Sequence, residues 1–134
     1  ILSVIGRDGY KFEGPAIFKA AESAGLHYGE HKVFHLYPSS DDEKQMAIFS
    51  MANILEPGNF DKENMASIRT PGVALFLQLP GPWDGAAAFE RMLTTARTLA
   101  QQLGGTLCDG RRKLVSDSQL TEMREQAAAY KVNG

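Results

Sequence analysis

The sequence is poor in cysteine, in net charge and in long apolar runs, and each shortage excludes a class of protein. Only Cys108 is a cysteine among 134 residues, so no internal disulfide can form and a reducing compartment such as the cytoplasm is favoured. A net charge of −2 does not favour binding to a nucleic-acid backbone or to an anionic membrane surface. No apolar run reaches the roughly 18 residues of a membrane span.

The start and the length of the chain predict one domain cut from a longer protein. The chain begins at Ile1 with neither an initiating methionine nor the layout of a signal peptide. Its length fits a single domain over residues 1–134, and 43% hydrophobic with 22% charged residues excludes disorder and collagen-like repeats. We therefore expect one compact domain with a hydrophobic core of its own.

Hydrophobic periodicity predicts a mixed, mostly antiparallel α+β fold of six strands and three helices. The predicted strands are Ile1–Ile5, Lys32–Tyr37, Met46–Leu55, Val73–Leu79 and a hairpin formed by residues 106–108 and 113–115, and a loop is predicted at residues 38–42. The first helix starts at Gly14-Pro15 and ends at Gly25, and the second runs from Asp84 to Gly104. Ser116 and Gln119 form a capping box for the last helix, which is expected to bury Leu120, Met123, Ala127 and Tyr130. Asp109-Gly110 is typical of a tight hairpin turn with positive φ.

Strand alternation divides the two central strands into a larger and a smaller apolar side. In Met46–Leu55, one side carries Phe49, Met51 and Leu55, and the other carries Ile48, Ser50, Ala52 and Ile54. In Val73–Leu79, Val73, Leu75, Leu77 and Leu79 oppose Ala74, Phe76 and Gln78. Three helices can cover one face of such a sheet but hardly two. The larger sets are therefore expected to face the helices, and the smaller sets to face water.

The uncovered face is a candidate interaction site. It would carry Val33, Ile54 and Phe76 among the small residues Ser50, Ala52 and Ala74, which makes a shallow apolar floor. A contiguous exposed apolar patch usually marks a site of interaction. The alternative is that these are scattered apolar residues of the kind that many antiparallel sheets expose. Arg111-Arg112-Lys113, the one basic cluster, suits the rim of a site for an acidic peptide.

Two other functions have some support in the sequence, a zinc-dependent hydrolase and an RNA-binding sheet. His27-Tyr28-Gly29-Glu30-His31 matches the H-x-x-E-H pattern of a zinc hydrolase, but Gly25 and Gly29 interrupt the helix that this chemistry needs. A sheet that binds RNA would present two or three aromatic residues in a basic domain, whereas only Phe76 is clear here. We expect no metal, no cofactor, no nucleic-acid partner and no enzymatic activity.

Two sequence blocks carry a resemblance to a known family. Residues 49–61 read F-S-x-A-N-x-x-x-P-G-x-F-D, and residues 70–80 read T-P-G-V-x-x-F-x-Q-x-P. Together with the second helix, Gly104-Gly105 and Arg111-Arg112, these blocks resemble the C-terminal domain of the ZipA family of bacterial cell-division proteins. The resemblance covers nearly the whole chain and is weakest over about the first thirty residues.

The resemblance implies a fold and a function. The family fold is a six-stranded antiparallel sheet with three helices on one face and a shallow hydrophobic groove on the other. The groove binds the C-terminal tail peptide of FtsZ, the tubulin-like division GTPase, as a non-enzymatic adaptor. Full-length members carry an N-terminal transmembrane helix and a linker, and they tether the division ring to the cytoplasmic face of the inner membrane. This chain would then be a soluble, monomeric fragment without that anchor and with no membrane contact of its own.

The family groove can be placed on this sequence residue by residue. The resemblance implies that its floor is Ile1, Val33, Ala52, Ile54, Ala74 and Phe76, with His31, Glu56 and Arg111 near its edges. Two edge residues depart from the best-known member of the family, since His31 stands in place of an apolar Met and Glu56 replaces a Lys. Because the partner tail carries acidic residues, a negative charge at this edge is mildly unfavourable.

Overall fold

The described part of the chain folds into a six-stranded sheet, a two-stranded ribbon and three α-helices. The structure, a computed structural model, describes residues 1–38 and 46–132. The strands are β1 (Leu2–Gly6), β2 (Phe12–Glu13), β3 (His27–Tyr28), β4 (Phe34–Leu36), β5 (Phe49–Asn53), β6 (Arg69–Thr70), β7 (Gly72–Phe76) and β8 (Gly105–Asp109). The helices are α1 (Gly14–Ser23), α2 (Gly85–Leu103) and α3 (Asp117–Ala128). The loop predicted at residues 38–42 lies, apart from Pro38, outside the described residues.

The six-stranded sheet is antiparallel throughout, which confirms the predicted fold class. Its order is β3-β4-β5-β7-β1-β8, and β2 pairs with β6 in the small ribbon. Helix α2 packs on β1, β7 and β8 and is flanked by α1 and α3. No helix in the described part of the chain has both the length and the apolarity needed to cross a membrane.

One face of the sheet forms the core together with the helices. Leu2, Met51 and Leu75 point to this face and are fully buried, as are Ala96 and Leu99 of α2. Along these strands alternate residues belong to the core cluster, as Phe49 and Met51 do, so the intervening residues lie on the opposite face. The core therefore uses only one side of the sheet.

The predicted helix ends are confirmed. Gly25 (φ 85°) and Gly104 (φ 75°) take the left-handed conformation that ends α1 and α2 and that glycine adopts without steric cost. At the start of α3, the Gln119 backbone N–H donates to Ser116 Oγ at 3.1 Å, and the Ser116 N–H donates to Gln119 Oε1 at 3.0 Å. The capping box therefore satisfies two amides that the helix itself leaves unpaired.

The strand predicted over Met46–Leu55 is shorter in the structure, and two of its face assignments are wrong. Strand β5 covers Phe49–Asn53 only. Ile48, predicted on the uncovered face, is buried in the core, because the chain bends before the strand begins. Leu55, predicted on the core face, is 41% exposed, because the chain turns after Asn53 and the Gly58 N–H bonds back to the Leu55 carbonyl at 2.7 Å.

The predicted C-terminal hairpin is only partly present. Its second strand is reduced to one isolated bridge between Cys108 and Leu114, so the sixth strand of the sheet is β3 instead. The left-handed residue of the turn is Arg112 (φ 66°), not Gly110. Tyr130, predicted to be buried by the last helix, lies beyond Ala128 and is exposed.

Candidate functional site on the uncovered face of the sheet

The strand register arranges the uncovered face in three rows that cross the strands. The first, which we call the central row, is built from small residues. Ala74 stands opposite both Ala52 and Ser3, and Ser3 stands opposite Cys108. Continuing the β4–β5 register by one residue places Val33 opposite Ala52. The central row is therefore Val33, Ala52, Ala74, Ser3 and Cys108.

Larger side chains flank the central row on both sides. On one side, which we call the Phe76 row, Ser50 stands opposite both His35 and Phe76, and continuing the β1–β7 register places Ile1 beside Phe76. On the other side, which we call the Ile54 row, Ile5 stands opposite Gly72 and Thr106, and the Ile54 N–H donates to the Gly72 carbonyl at 3.2 Å. The central row lies between the Phe76 row and the Ile54 row, which carry larger side chains. We call the shallow depression that these three rows form the trough.

The residues of this trough do not belong to the hydrophobic core. Val33 and Cys108 are buried, yet neither is part of the core cluster that the helices cover. Ala52, Ile54, Ala74 and Phe76 are half-buried and are also outside that cluster. These apolar side chains therefore lie outside the helix–sheet packing, and Ala52, Ile54, Ala74 and Phe76 remain partly exposed to solvent.

A depression of about 670 Å³ lies over the part of the trough nearest β4 and β5. Its lining includes four of the predicted site residues, namely His31, Val33, Ala52 and Phe76. Ala74 and Ile54 are the neighbours of these residues on the same face, and Ile1 continues the Phe76 row. An apolar floor of this shape suits the burial of apolar side chains from a ligand.

The three predicted edge residues lie in turns. His31 is in the single helical turn Glu30–Lys32, exposed and left-handed at φ 62°, with Nε2 3.9 Å from Glu30 Oε1. Glu56 is exposed beyond β5, and Arg111 is exposed beyond β8. Because β5 and β8 run in opposite directions, Glu56 and Arg111 stand at opposite ends of the sheet.

A polar pair in the depression was missed by sequence reasoning. His35 is buried, with Nε2 at 2.9 Å from the Glu30 carbonyl and Nδ1 at 2.7 Å from Ser50 Oγ. A carbonyl can only accept, so Nε2 donates, and in the neutral ring Nδ1 accepts from the Ser50 hydroxyl. Alternation could have placed His35 and Ser50 on the uncovered side of their strands, whereas their pairing depends on the register of β4 on β5.

Tyr37 and Cys108 were also not assigned to the site. Tyr37 lines the depression, and its ring centroid is 5.8 Å from that of His35. Burial, and then the negative charge of Glu30, raise the pKa of the Tyr37 hydroxyl, which therefore stays a neutral hydrogen-bonding group. Burial, and then Asp109, raise the pKa of the Cys108 thiol, so this cysteine is a small floor residue and not an activated nucleophile.

The zinc-hydrolase motif does not have the required geometry. His27 is in strand β3, whereas Glu30 and His31 are in the following turn, so the two histidines do not share a helical face. Across residues 1–38 and 46–132 no group of three or more His, Cys, Asp and Glu side chains could hold a metal ion. The alternative of a zinc-dependent hydrolase therefore has no support in the fold.

The turn after β8 is held by one carboxylate, that of Asp109. Asp109 Oδ1 accepts from the backbone N–H of Arg111 at 2.8 Å and of Lys113 at 3.1 Å, and Oδ2 accepts from Gln119 Nε2 at 3.0 Å. The Asp109 carbonyl also accepts from Ser3 Oγ at 2.6 Å. Asp109 thus connects the sheet, the basic turn and the cap of α3.

These contacts predict a pH-dependent contribution to stability. Hydrogen bonds from Gln119, Lys113 and Arg111 hold the pKa of the Asp109 carboxyl below its ordinary value. Because this pKa is lower in the folded state than in the unfolded state, the ionised carboxylate stabilises the fold above about pH 4. This stabilisation is lost as the pH falls through the folded-state pKa. We expect Asp109→Asn to be less stable than the parent at pH 7 and the difference to narrow near pH 3.

Urea unfolding at both pH values would measure this difference. Glu122→Gln on the exposed side of α3 is the control, because it removes one carboxylate outside the turn. A stability difference of equal size at pH 7 and pH 3 for Asp109→Asn would contradict the prediction.

Comparison with known proteins identifies the family. The family model described as "ZipA, C-terminal FtsZ-binding domain" matches residues 1–126. The chain belongs to this family. The ZipA family consists of non-enzymatic cell-division adaptors, in agreement with the expectation that the chain is not an enzyme.

Full-length relatives support the same assignment. The chain is 38% identical over 130 residues to the cell division protein ZipA of Azotobacter vinelandii, covering 97% of the chain and 45% of that relative. It is 35% identical over 130 residues to ZipA of Marinobacter nauticus, covering 97% of the chain and 38% of the relative. It is 36% identical over 129 residues to ZipA of Xanthomonas euvesicatoria, covering 96% of the chain and 53% of that relative. The chain thus spans about half or less of the length of these ZipA proteins.

Proposed function

We propose that this domain binds the C-terminal tail peptide of FtsZ in the trough on the uncovered face of the sheet. The central row supports this proposal most directly, because its small residues leave a floor between two rows with larger apolar side chains. The proposed contacts are Ile1, His31, Val33, Ala52, Ile54, Glu56, Ala74, Phe76 and Arg111. By this contact the domain would act in tethering and stabilising the division ring.

The physical basis of binding is burial of apolar area. Each 100 Å² of apolar surface removed from water contributes about 2.5 kcal/mol, and micromolar affinity corresponds to about 8 kcal/mol. A shallow trough suits an amphipathic segment whose apolar side rests on the central row. The flanking residues Phe76 and Ile54 then contact the sides of that segment.

The charged edges would set the orientation of the peptide more than its affinity. Arg111 at one end attracts an acidic segment, whereas Glu56 at the other end repels it. Exposed charges of this kind contribute at most about 1 kcal/mol each and are screened by salt. Binding driven by apolar burial should therefore keep most of its strength at high salt.

Membrane tethering also belongs to the proposal. The family resemblance implies that full-length members hold the division ring at the cytoplasmic face of the inner membrane. For the chain described here we propose the FtsZ contact as its share of that function, made by a monomer without a metal, a cofactor, nucleic acid or direct membrane contact. Equal binding with and without a chelator, together with a monomeric mass in sedimentation, is the expected result.

Titration of a labelled FtsZ tail peptide, followed by fluorescence anisotropy, tests the proposal. Saturable binding in the micromolar range that persists at raised salt is expected. No binding at millimolar protein would refute it. Retention on single-stranded RNA that falls steeply with salt would instead favour the RNA-binding alternative.

Two adjacent residues provide a matched pair of variants. Ile54 lies on the uncovered face, whereas Leu55, the next residue, is exposed in the turn that follows. We expect Ile54→Ala to weaken peptide binding about tenfold, because an isoleucine side chain contributes about 1.5–3 kcal/mol when it is buried. Leu55→Ala should change the affinity less than twofold, and equal losses for the two variants would argue against the proposed face.

A further inference from the structure

The central row continues beyond β8 to an exposed leucine that is not among the predicted site residues. An antiparallel bridge places Leu114 directly opposite Cys108, and residues directly opposite each other share a face of the sheet. Leu114 therefore projects from the uncovered face. It is 72% exposed, the highest value among the exposed large hydrophobic residues of the described chain.

Gly110, two residues after Cys108, leaves the space beside Ile1 without a side chain. Continuing the β1–β8 register by one residue places Ile1 opposite Gly110, and a Cβ on Gly110 would meet the Ile1 Cβ at 3.7 Å. Ile1, next to Gly110, and Leu114, opposite Cys108, are both largely exposed and lie on the two sides of β8. We call this group of four residues the edge notch.

The turn that carries the edge notch is rigidly held. The Asp109 N–H donates to the Lys113 carbonyl at 2.8 Å, and the Asp109 carboxylate accepts from both Arg111 and Lys113. Arg112 is thereby kept in a left-handed conformation that a non-glycine residue rarely adopts. A notch fixed in advance by hydrogen bonds loses little conformational entropy when a ligand binds.

We propose that the edge notch is a second apolar subsite for the same FtsZ tail peptide, an inference that rests on the proposed function. Its continuity with the central row favours this occupant, since one segment can lie across β7, β1 and β8 without leaving the uncovered face. Arg111 in the same turn favours an acidic residue beside the apolar one.

Strand spacing sets the separation of the two subsites. Three inter-strand steps separate β7, which carries Phe76, from Leu114, a distance of about 14 Å at about 4.8 Å a step. A helical peptide covers this distance in about nine residues and an extended one in about four. The peptide should therefore carry two apolar side chains with one of these spacings.

Three variants test the edge notch in the anisotropy titration. Leu114→Ala removes one side of the notch, and Gly110→Val fills it at a position where the backbone lies outside the left-handed region. Each should weaken binding about fivefold. Val132→Ala is the control, because Val132 is also exposed but lies after α3 near Asp84. It should stay within twofold of the parent protein.

The outcomes separate this inference from the proposed function. If the parent protein binds and Phe76→Ala abolishes binding, but Leu114→Ala and Gly110→Val bind like the parent, the edge notch is refuted and the proposed function stands. If the parent protein does not bind, both are refuted. Shifts of the Cys108 and Leu114 amide signals in NMR spectra on peptide addition are expected, and their absence at saturation would also overturn the inference.

Discussion

Phe76→Ala is expected to weaken binding of the FtsZ tail peptide at least about tenfold and to leave the fold intact. Phe76 is half-buried at the end of β7, lines the depression and is outside the core cluster. Burial of a phenylalanine side chain contributes about 1.5–3 kcal/mol, which is about tenfold or more in a dissociation constant. The loss should therefore appear in binding and not in stability.

Thermal unfolding and peptide titration on the same preparation separate the two effects. Tyr10→Ala is the matched control, because Tyr10 is an exposed aromatic residue that packs edge-on against Phe12 at 6.1 Å, away from the trough. It should bind like the parent protein. Equal affinity of Phe76→Ala and Tyr10→Ala would place the peptide elsewhere on the molecule.

Ala74→Tyr is expected to have the larger effect on binding, a loss of about a hundredfold. Ala74 is the middle residue of the central row, between Ala52 and Ser3, and it does not belong to the core cluster. A tyrosine there would project from the uncovered face and lift any ligand off the floor. A clash of this kind costs about 2.7 kcal/mol for a hundredfold loss of affinity.

The control for this variant is Ala86→Tyr on the exposed side of α2. Both variants add the same side chain, so a change in solubility or in peptide labelling would affect them equally. We expect Ala86→Tyr to bind normally. If Ala74→Tyr also bound normally, the central row could not be the floor of the site.

Helix ends and strand faces were the most predictable parts of the fold, because they depend on local chemistry. Gly25 and Gly104 end helices since glycine adopts positive φ without steric cost. The capping box at Ser116 follows from a spacing of three residues. In β7, alternation correctly placed Leu75 in the core and Phe76 on the opposite face, because the side-chain period of a strand is two.

The errors lie where the chain departs from that period. A bend before β5 moves Ile48 into the core, and a bend is not visible in a pattern of alternating residues. The positive φ of the last turn belongs to Arg112 because hydrogen bonds within the turn fix the backbone there, the Asp109 carboxylate accepting from the N–H groups of Arg111 and Lys113. These bonds close a longer turn than the two-residue turn that an Asp-Gly pair favours.

The candidate site was predictable only as far as the small residues of β5 and β7. Ala52, Ala74 and Phe76 could be placed on one face from alternation. The alignment of Ala52 with Ala74 needs the register of β5 on β7, and the addition of Ser3 and Cys108 to this row needs the register of β1 between β7 and β8. Strands that are distant in sequence meet there, and no local pattern specifies which residues pair. The position of Leu114 opposite Cys108 was missed for a different reason, because the turn between them is longer than the two-residue turn that Asp109-Gly110 predicts.

The shortness of β3 has a consequence for how the domain behaves at high local concentration. As an edge strand of two residues, β3 offers a neighbouring molecule very few free backbone N–H and C=O groups to pair with. Proteins avoid edge-to-edge aggregation with short edges of this kind. At this edge, the sheets of adjacent molecules therefore have little free backbone through which to join.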